Sequence, residues 1–272
     1  MDTNLPFAAI GENFYHRILD VLETARIDFL VGGAFALRAY TGIERDTKDF
    51  DLMLRPPDVD AALTACRNAG LRAGHTFSHW IAKVHLGEHF IDLIYRAGNG
   101  LCEVDDDWFA ASREADVLGR KLRLCPPEEI IWQKAFIMER ERFDGADVLH
   151  LLRGCARSMD WPRLLGRFAD NWRVLLSHLI LFGYVYPDER ELIPARVLDD
   201  LLARLAEEIS GPRERPRNER PLCRGTLLSR EQYLPDVEQW GYDDARIVGP
   251  SQMTPQEIIA WTNAIDDRPR SR

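Results

Sequence analysis

Apolar positions recur along this chain with two different periods, and the changes of period mark out its elements. Phe14 to Ala25 carries Ile18, Val21 and Leu22 at helical spacing, which predicts a helix with one apolar face. Ile27 to Val31 reads as a short buried strand running into Gly32-Gly33. Ala34 to Tyr40 then reads as a helix, and Phe50 to Leu54 as a second strand stopped by Pro56-Pro57. Asp58 is placed to cap a helix reaching Ala69, because its carboxylate can accept from the free amides of the first turn. Phe77 to Leu86 and His89 to Tyr95 alternate as two strands, and Gly87-Glu88 between them suits a two-residue hairpin. Lys121 to Leu124 is one further short strand. Glu128 to Leu205 is helical throughout, with breaks near Gly145, Pro162 and Pro187. Gly211 to Arg224, rich in Pro and Arg, reads as a linker or ordered loop, and the tail holds one helix near Pro255 to Ile265.

This succession predicts an α+β chain: a mixed β-sheet with flanking helices, followed by a helical region. The expected divisions are residues 1–124 (α/β), 125–210 (helical) and 211–272 (Arg/Pro-rich segment and tail).

Composition narrows the picture. A formal net charge of -9 supplies no global basic footprint for nucleic acid, so any anion must be held by a local arrangement. The five cysteines are scattered and odd in number, without a Cys-x-x-Cys, which reads as reduced thiols. Met1-Asp2-Thr3-Asn4 lacks a secretory signal's basic start, and the longest apolar run, Val174 to Tyr186, is too short to span a bilayer. These features predict a cytoplasmic protein with no membrane partner.

The chemistry concentrates between Val31 and Leu52. Residues two apart in a strand share a face, so Asp49 and Asp51 point one way while Phe50 and Leu52 point to the core. Two carboxylates this close repel, and a hard divalent cation with oxygen ligands relieves them. Magnesium keeps waters and binds one or two carboxylates plus substrate phosphates, so the pair suggests a metal–phosphate site. Gly32-Gly33 lets the backbone approach a ligand, and the amides opening the next helix favour anions. Phosphate cradle plus metal carboxylates is what phosphoryl or nucleotidyl transfer requires. The Gly87-Glu88 turn fixes a register in which Lys83 opposes Asp92. An aspartate between Ile91 and Leu93 needs a partner. Lys83 is one candidate and a metal shared with Asp49 and Asp51 is the other, and the two are compatible.

Gly32-Gly33, Thr47-Lys48-Asp49-Phe50-Asp51-Leu52 and Phe90-Ile91-Asp92-Leu93 together resemble the polymerase-beta-like nucleotidyltransferase superfamily. Within it, Arg45-Asp46-Thr47-Lys48-Asp49 is similar to the small bacterial members related to AbiEii-type abortive-infection toxins. The resemblance spans roughly residues 28–152. It implies a nucleotidyltransferase-type mixed sheet, two magnesium ions (Mg2+) held by Asp49, Asp51 and Asp92, and transfer of a nucleoside monophosphate from a nucleoside triphosphate such as ATP to an acceptor hydroxyl. Gly32, Gly33, Arg45, Lys48 and Lys83 are the nucleotide-binding candidates. Lys134, Asp144 and Asp147 match the family's downstream lysine and acidic residues, although an ordinary amphipathic helix pair explains them as well. One departure is the spacing: fifteen residues separate Gly33 from Asp49, slightly more than the compact pattern has. The acceptor stays open between small molecule, RNA and protein. The alternatives are a toxin-type enzyme that nucleotidylates tRNA or protein, and a silent nucleotide-binding module of the same fold.

Other features take bland readings. His75, His79, His85 and His89 lack a His-Glu-x-x-His and would scatter across strand faces, so no zinc site is expected. Asp105-Asp106-Asp107 reads as an exposed acidic loop. Arg213 to Arg230 reads as a solvated linker before it reads as a polyanion contact.

Overall fold

A computed structural model describes residues 7–45, 47, 49–87, 89–211 and 220–264, the first six of these by backbone only. The chain divides into two compact units, Met1–Pro126 and Pro127–Arg272.

The first unit is built on a seven-stranded mixed sheet. Its elements are α1 (Phe7–Thr24), β1 (Leu30–Val31), α2 (Gly33–Thr41), β2 (Asp49–Met53), α3 (Val59–Asn68), β3 (Arg72–Phe77), β4 (Ile81–Leu86), β5 (His89–Ile94), α4 (Asp106–Ala110), β6 (Arg113–Val117) and β7 (Arg120–Leu124). The strand order is β3-β4-β5-β2-β1-β7-β6. β2 runs parallel to β5 and β1 parallel to β7, while the other neighbours are antiparallel. Alternation decides the faces. Phe50, Leu52, Ile91, Leu93, Ala82 and Val84 are fully buried on one side, where α1 and α3 pack. α1 contributes Phe14, Ile18 and Leu22 at four-residue spacing, all buried. The opposite side of the same strands carries Asp49, Asp51, Lys83, His85, Phe90 and Asp92.

The second unit is mainly helical: α5 (Pro127–Ala135), α6 (Gly145–Cys155), α7 (Trp161–Phe168), α8 (Trp172–Val185) and α9 (Ala195–Ser210), then a two-stranded parallel pair β8 (Leu222–Cys223) and β9 (Asp243–Asp244), with α10 (Leu234–Glu238), α11 (Ala245–Val248) and α12 (Pro255–Asn263). α12 opens on a capping box, Thr254 and Glu257 each bonding the other's backbone amide. Among the described residues, no helix is long and apolar enough to cross a membrane.

The expected α+β class is what the chain adopts. Local expectations need several corrections. The strand expected over Phe77–Leu86 is β4 alone, Ile81–Leu86, after a turn over residues 78–80, and the preceding strand β3 is unexpected. β3 is an edge strand whose sequence Arg-Ala-Gly-His-Thr-Phe carries no clean apolar alternation. β6, at the opposite edge, is charged for the same reason and shows no strand period. Only Leu30–Val31 of the expected Ile27–Val31 pairs. Asp58 sits at the N-cap of α3 but makes no capping bond, because a 3₁₀ turn over Pro56–Asp58 precedes the helix; it pairs instead with Arg55 at 3.7 Å. Asp105-Asp106-Asp107 is no free loop: Asp105 caps α4 by accepting from the Trp108 amide, and Asp106 pairs with Arg55. The helical stretch breaks where expected, Gly145 opening α6, Pro162 lying in the first turn of α7, and Pro187 opening a 3₁₀ segment.

Glu129 is fully buried and its Oε1 accepts from the Nε of Arg163 at 2.8 Å and of Arg167 at 2.9 Å. Removing one partner of a buried pair strands the charge of the other. Glu129→Ala is therefore expected to cost about 3–5 kcal/mol, read as a drop in the urea unfolding free energy of the full chain, whereas Glu207→Ala, at an exposed position of α9, should change it by less than about 0.5 kcal/mol.

Candidate active site

β1 ends at Val31 and the chain turns through Gly32-Gly33 into α2. The turn is pinned from below: the Gly32 amide donates to the Asp51 carbonyl at 2.9 Å, and Cys125 donates to the Val31 carbonyl at 2.8 Å. Gly33 has φ +53°, a left-handed conformation that costs an L side chain about 1–2 kcal/mol. Space also demands glycine there, because a Cβ on Gly33 would overlap the Asp51 carboxylate. Gly32 is hemmed in as well, by the Met53 side chain. The carboxylate therefore lies directly against the start of α2, where partial positive charge favours it.

Asp49 and Asp51 share one face of β2, as a strand's two-residue period requires. The parallel register pairs Asp51 with Asp92 and Asp49 with Phe90, so Asp92 stands beside Asp51 on the neighbouring strand. The β4–β5 hairpin pairs Leu86 with His89, His85 with Phe90, and Lys83 with Asp92. Lys83 Nζ lies 2.5 Å from Asp92 Oδ1 and 4.0 Å from the centroid of the Phe90 ring. Exposure grades across the three carboxylates: Asp49 is exposed, Asp51 half-buried, and Asp92 buried at 8%.

Burial pushes the Asp92 carboxyl above its ordinary range. Lys83 opposes that shift by hydrogen bond and charge, and the charge of Asp49 adds to it. The carboxylates thus feel one another. Among the described residues, no three His, Cys, Asp or Glu side chains are grouped so as to hold a metal ion. Asp92 is engaged by Lys83 through one oxygen. The donor set is nevertheless of one kind, hard carboxylate oxygens, which suits a dication such as magnesium more than a soft metal.

Sequence reasoning passed over Tyr15. Its ring on α1 lies 5.1 Å from Phe50 and 6.5 Å from Phe35. Burial raises its phenol, and the charges of Asp49 and Asp51 raise it further. Nothing in the period of α1 separates Tyr15 from a core aromatic; only its place over the start of β2 does.

Arg45 is exposed in the loop after α2, and Lys48 and Asp46 lie outside the described residues. The four histidines are dispersed: His75 bridges Asp60 and Tyr95, His79 bonds the Gly98 carbonyl, and His85 and His89 lie on opposite faces of the hairpin. In the second unit, Lys134 bonds Asp144 at 2.9 Å and Asp147 at 2.7 Å, and Arg142 grips Asp144 through two bonds. Asp144 and Asp147 are buried, Lys134 is half-buried and Arg142 exposed; burial works to raise the Asp144 carboxyl, but Arg142 and Lys134 hold it below its usual range. Of the Arg-rich stretch, residues 212–219 lie outside the described residues. Arg224 donates to the Asp170 carbonyl, and Arg230 pairs with Glu139.

No family model matches this chain, and no curated protein does. Among solved structures, it is similar to the antibiotic-resistance factor ANT(2'')-Ia in solution (17% identity, 62% of this chain and 97% of that one, TM-score 0.44). It is also similar to the lincomycin-bound lincosamide antibiotic adenylyltransferase LnuA (16% identity, 52% and 94%, TM-score 0.37). A third is JHP933 from Helicobacter pylori (13% identity, 75% and 96%, TM-score 0.38).

The two constraints on Gly33 can be separated by substitution. Gly42 also has positive φ, +73°, but an added Cβ there meets nothing. Gly42→Ala should lose only the backbone term of about 1–2 kcal/mol. Gly33→Ala should lose more, as measured by urea unfolding, because Asp51 must also move; equal losses would show that Asp51 does not press on Gly33.

Proposed function

We propose that this chain is a nucleotidyltransferase that moves a nucleoside monophosphate from a nucleoside triphosphate to an acceptor hydroxyl, releasing pyrophosphate. The observation that carries the reading is the register pairing of Asp51 with Asp92, with Asp49 on the same face and the Gly32-Gly33 turn alongside. Burial already resists the charge of Asp92 and the charge of Asp49 adds to that resistance, which a bound dication would relieve. Asp49 and Asp51, with Asp92, would hold magnesium, in the two-ion form the family resemblance implies. When bound, the metal supplies charge neutralisation for the triphosphate and its pyrophosphate leaving group.

The chain's own residues supply the remainder. Gly32 and Gly33 let the phosphates approach the backbone, and the first-turn amides of α2 face an anion there. Asp92 takes the proton of the attacking hydroxyl at its carboxylate. Lys83 keeps that carboxylate ionised against its burial. Arg45 and Lys48, flanking the loop before β2, are assigned to the triphosphate.

A second reading, nucleotide binding without turnover, is favoured by the Lys83–Asp92 pair, because a lysine on Oδ1 leaves Asp92 one oxygen fewer for a metal.

Label transfer from each α-labelled nucleoside triphosphate in cell extract tests both. Transfer is expected with one or more nucleotides, and Asp49→Asn, an exposed position, should lower it about 100-fold or more with the fold intact, the loss of a few kcal/mol of charge stabilisation. Triphosphate binding without any transfer would favour the silent module. Calorimetry should show that triphosphate affinity needs magnesium; equal affinity in chelator would remove the metal from the proposal.

A further inference from the structure

The register rows that cross the sheet run from positive to negative. In one row, Arg72 on β3 faces His85 on β4, His85 faces Phe90 on β5, and Phe90 faces Asp49 on β2. In the next row the order is Gly74, Lys83, Asp92 and Asp51. Register partners project from the same side of a sheet, so all eight positions share the face that carries the carboxylates. The β2 end of that face is anionic. The β3–β4 end carries Arg72, Lys83 and the His85 imidazole.

Only Lys83 of these three meets a carboxylate. Arg72 is exposed, His85 is half-buried with its ring 5.9 Å from that of Phe90, and neither pairs with an acidic group among the described residues. Burial lowers the His85 imidazole, and Arg72 and Lys83 lower it further.

Gly74 lies in the middle of this cluster, and neither backbone nor packing asks for glycine there. Its φ is outside the left-handed region, and an added Cβ would meet nothing within 4 Å. The missing side chain leaves a bare floor between Arg72 on the same strand and Lys83 and His85 on the next.

We propose that this floor seats a phosphate group of the acceptor, so that the acceptor is a nucleotide or the end of an RNA strand and not a neutral or cationic small molecule. The proposal rests on the nucleotidyl-transfer reading above. Two strand spacings, about 10 Å, separate Gly74 on β3 from Asp92 on β5. A molecule held by its phosphate at Gly74 can therefore present a hydroxyl to Asp92. Phe90 lies between the two ends with Lys83 over its ring, and a cation beside an aromatic is the pairing that holds nucleotide units.

The test uses the full chain with two probes, a fluorescein-labelled short single-stranded RNA read by anisotropy and adenosine 5'-monophosphate read by calorimetry. Magnesium–triphosphate affinity is measured in parallel. At least one phosphate probe is expected to bind, more weakly as salt rises. Gly74→Glu and Arg72→Glu should each weaken it about tenfold or more, while Gly74→Ala should not, and all three should keep the triphosphate affinity. Binding of the RNA alone identifies a nucleic-acid acceptor, and binding of the monophosphate identifies a small nucleotide. If the triphosphate binds and neither phosphate probe does, or if both Glu variants bind like the parent chain, the subsite is overturned. Loss of triphosphate binding in the parent chain would instead count against nucleotidyl transfer, and phosphate affinity sensitive to Gly74→Glu would still support the subsite.

Discussion

Charge repulsion between acidic groups on adjacent strands is the constraint around which the first unit is organised. Asp51 and Asp92 are register partners in a parallel pair, an arrangement that destabilises a sheet when both are ionised. They are held together by what lies behind them. Phe50, Leu52, Ile91 and Leu93 are fully buried on the reverse side of the same two strands. A slip of one residue in either strand would turn that apolar set outward, so burial on one face enforces crowding on the other. Local devices then contain the crowding: Lys83 reaches Asp92 from the next strand, and the start of α2 receives Asp51.

The second unit treats charge differently. Glu129 lies between Arg163 and Arg167, and Lys134 and Arg142 meet Asp144 and Asp147, so these buried acids are answered by cations of the chain itself, while buried Glu128 accepts from the Asp160 amide. Such closed clusters fix geometry more than they add stability, since desolvation offsets most of the attraction. The contrast is informative. A buried acid with a full complement of cations has little left to offer a ligand, whereas Asp49 stands exposed on the carboxylate face of β2.

How much of this is legible in the sequence depends on where in the sheet a residue lies. The Lys83–Asp92 pairing could be read because Gly87 fixes the hairpin and both flanking strands alternate cleanly. The pairing of β2 with β5 is not written in any local period: it joins strands some forty residues apart, and packing decides it. β3 and β6 escaped notice because edge strands are wet on both sides and carry Arg, Glu and His where a central strand carries Val or Ile. Gly33 could be read as a turn glycine, but its second reason, the carboxylate lying on its Cα, needs coordinates. Tyr15 looks like any core aromatic of an amphipathic helix until α1 is seen to lay it beside Phe50.

The contact between Gly33 and Asp51 also bears on how such a chain can change over generations. While the acid is present, a side chain at the glycine is opposed by both collision and backbone strain. Once the acid is lost, the collision disappears and only the strain, about 1–2 kcal/mol, still opposes a bulkier residue. A descendant that took that second step could not regain the carboxylate by one reversal, because its place would be filled. Decay of this corner therefore runs in one direction, and a glycine still present beside an aspartate marks a lineage that has not begun it.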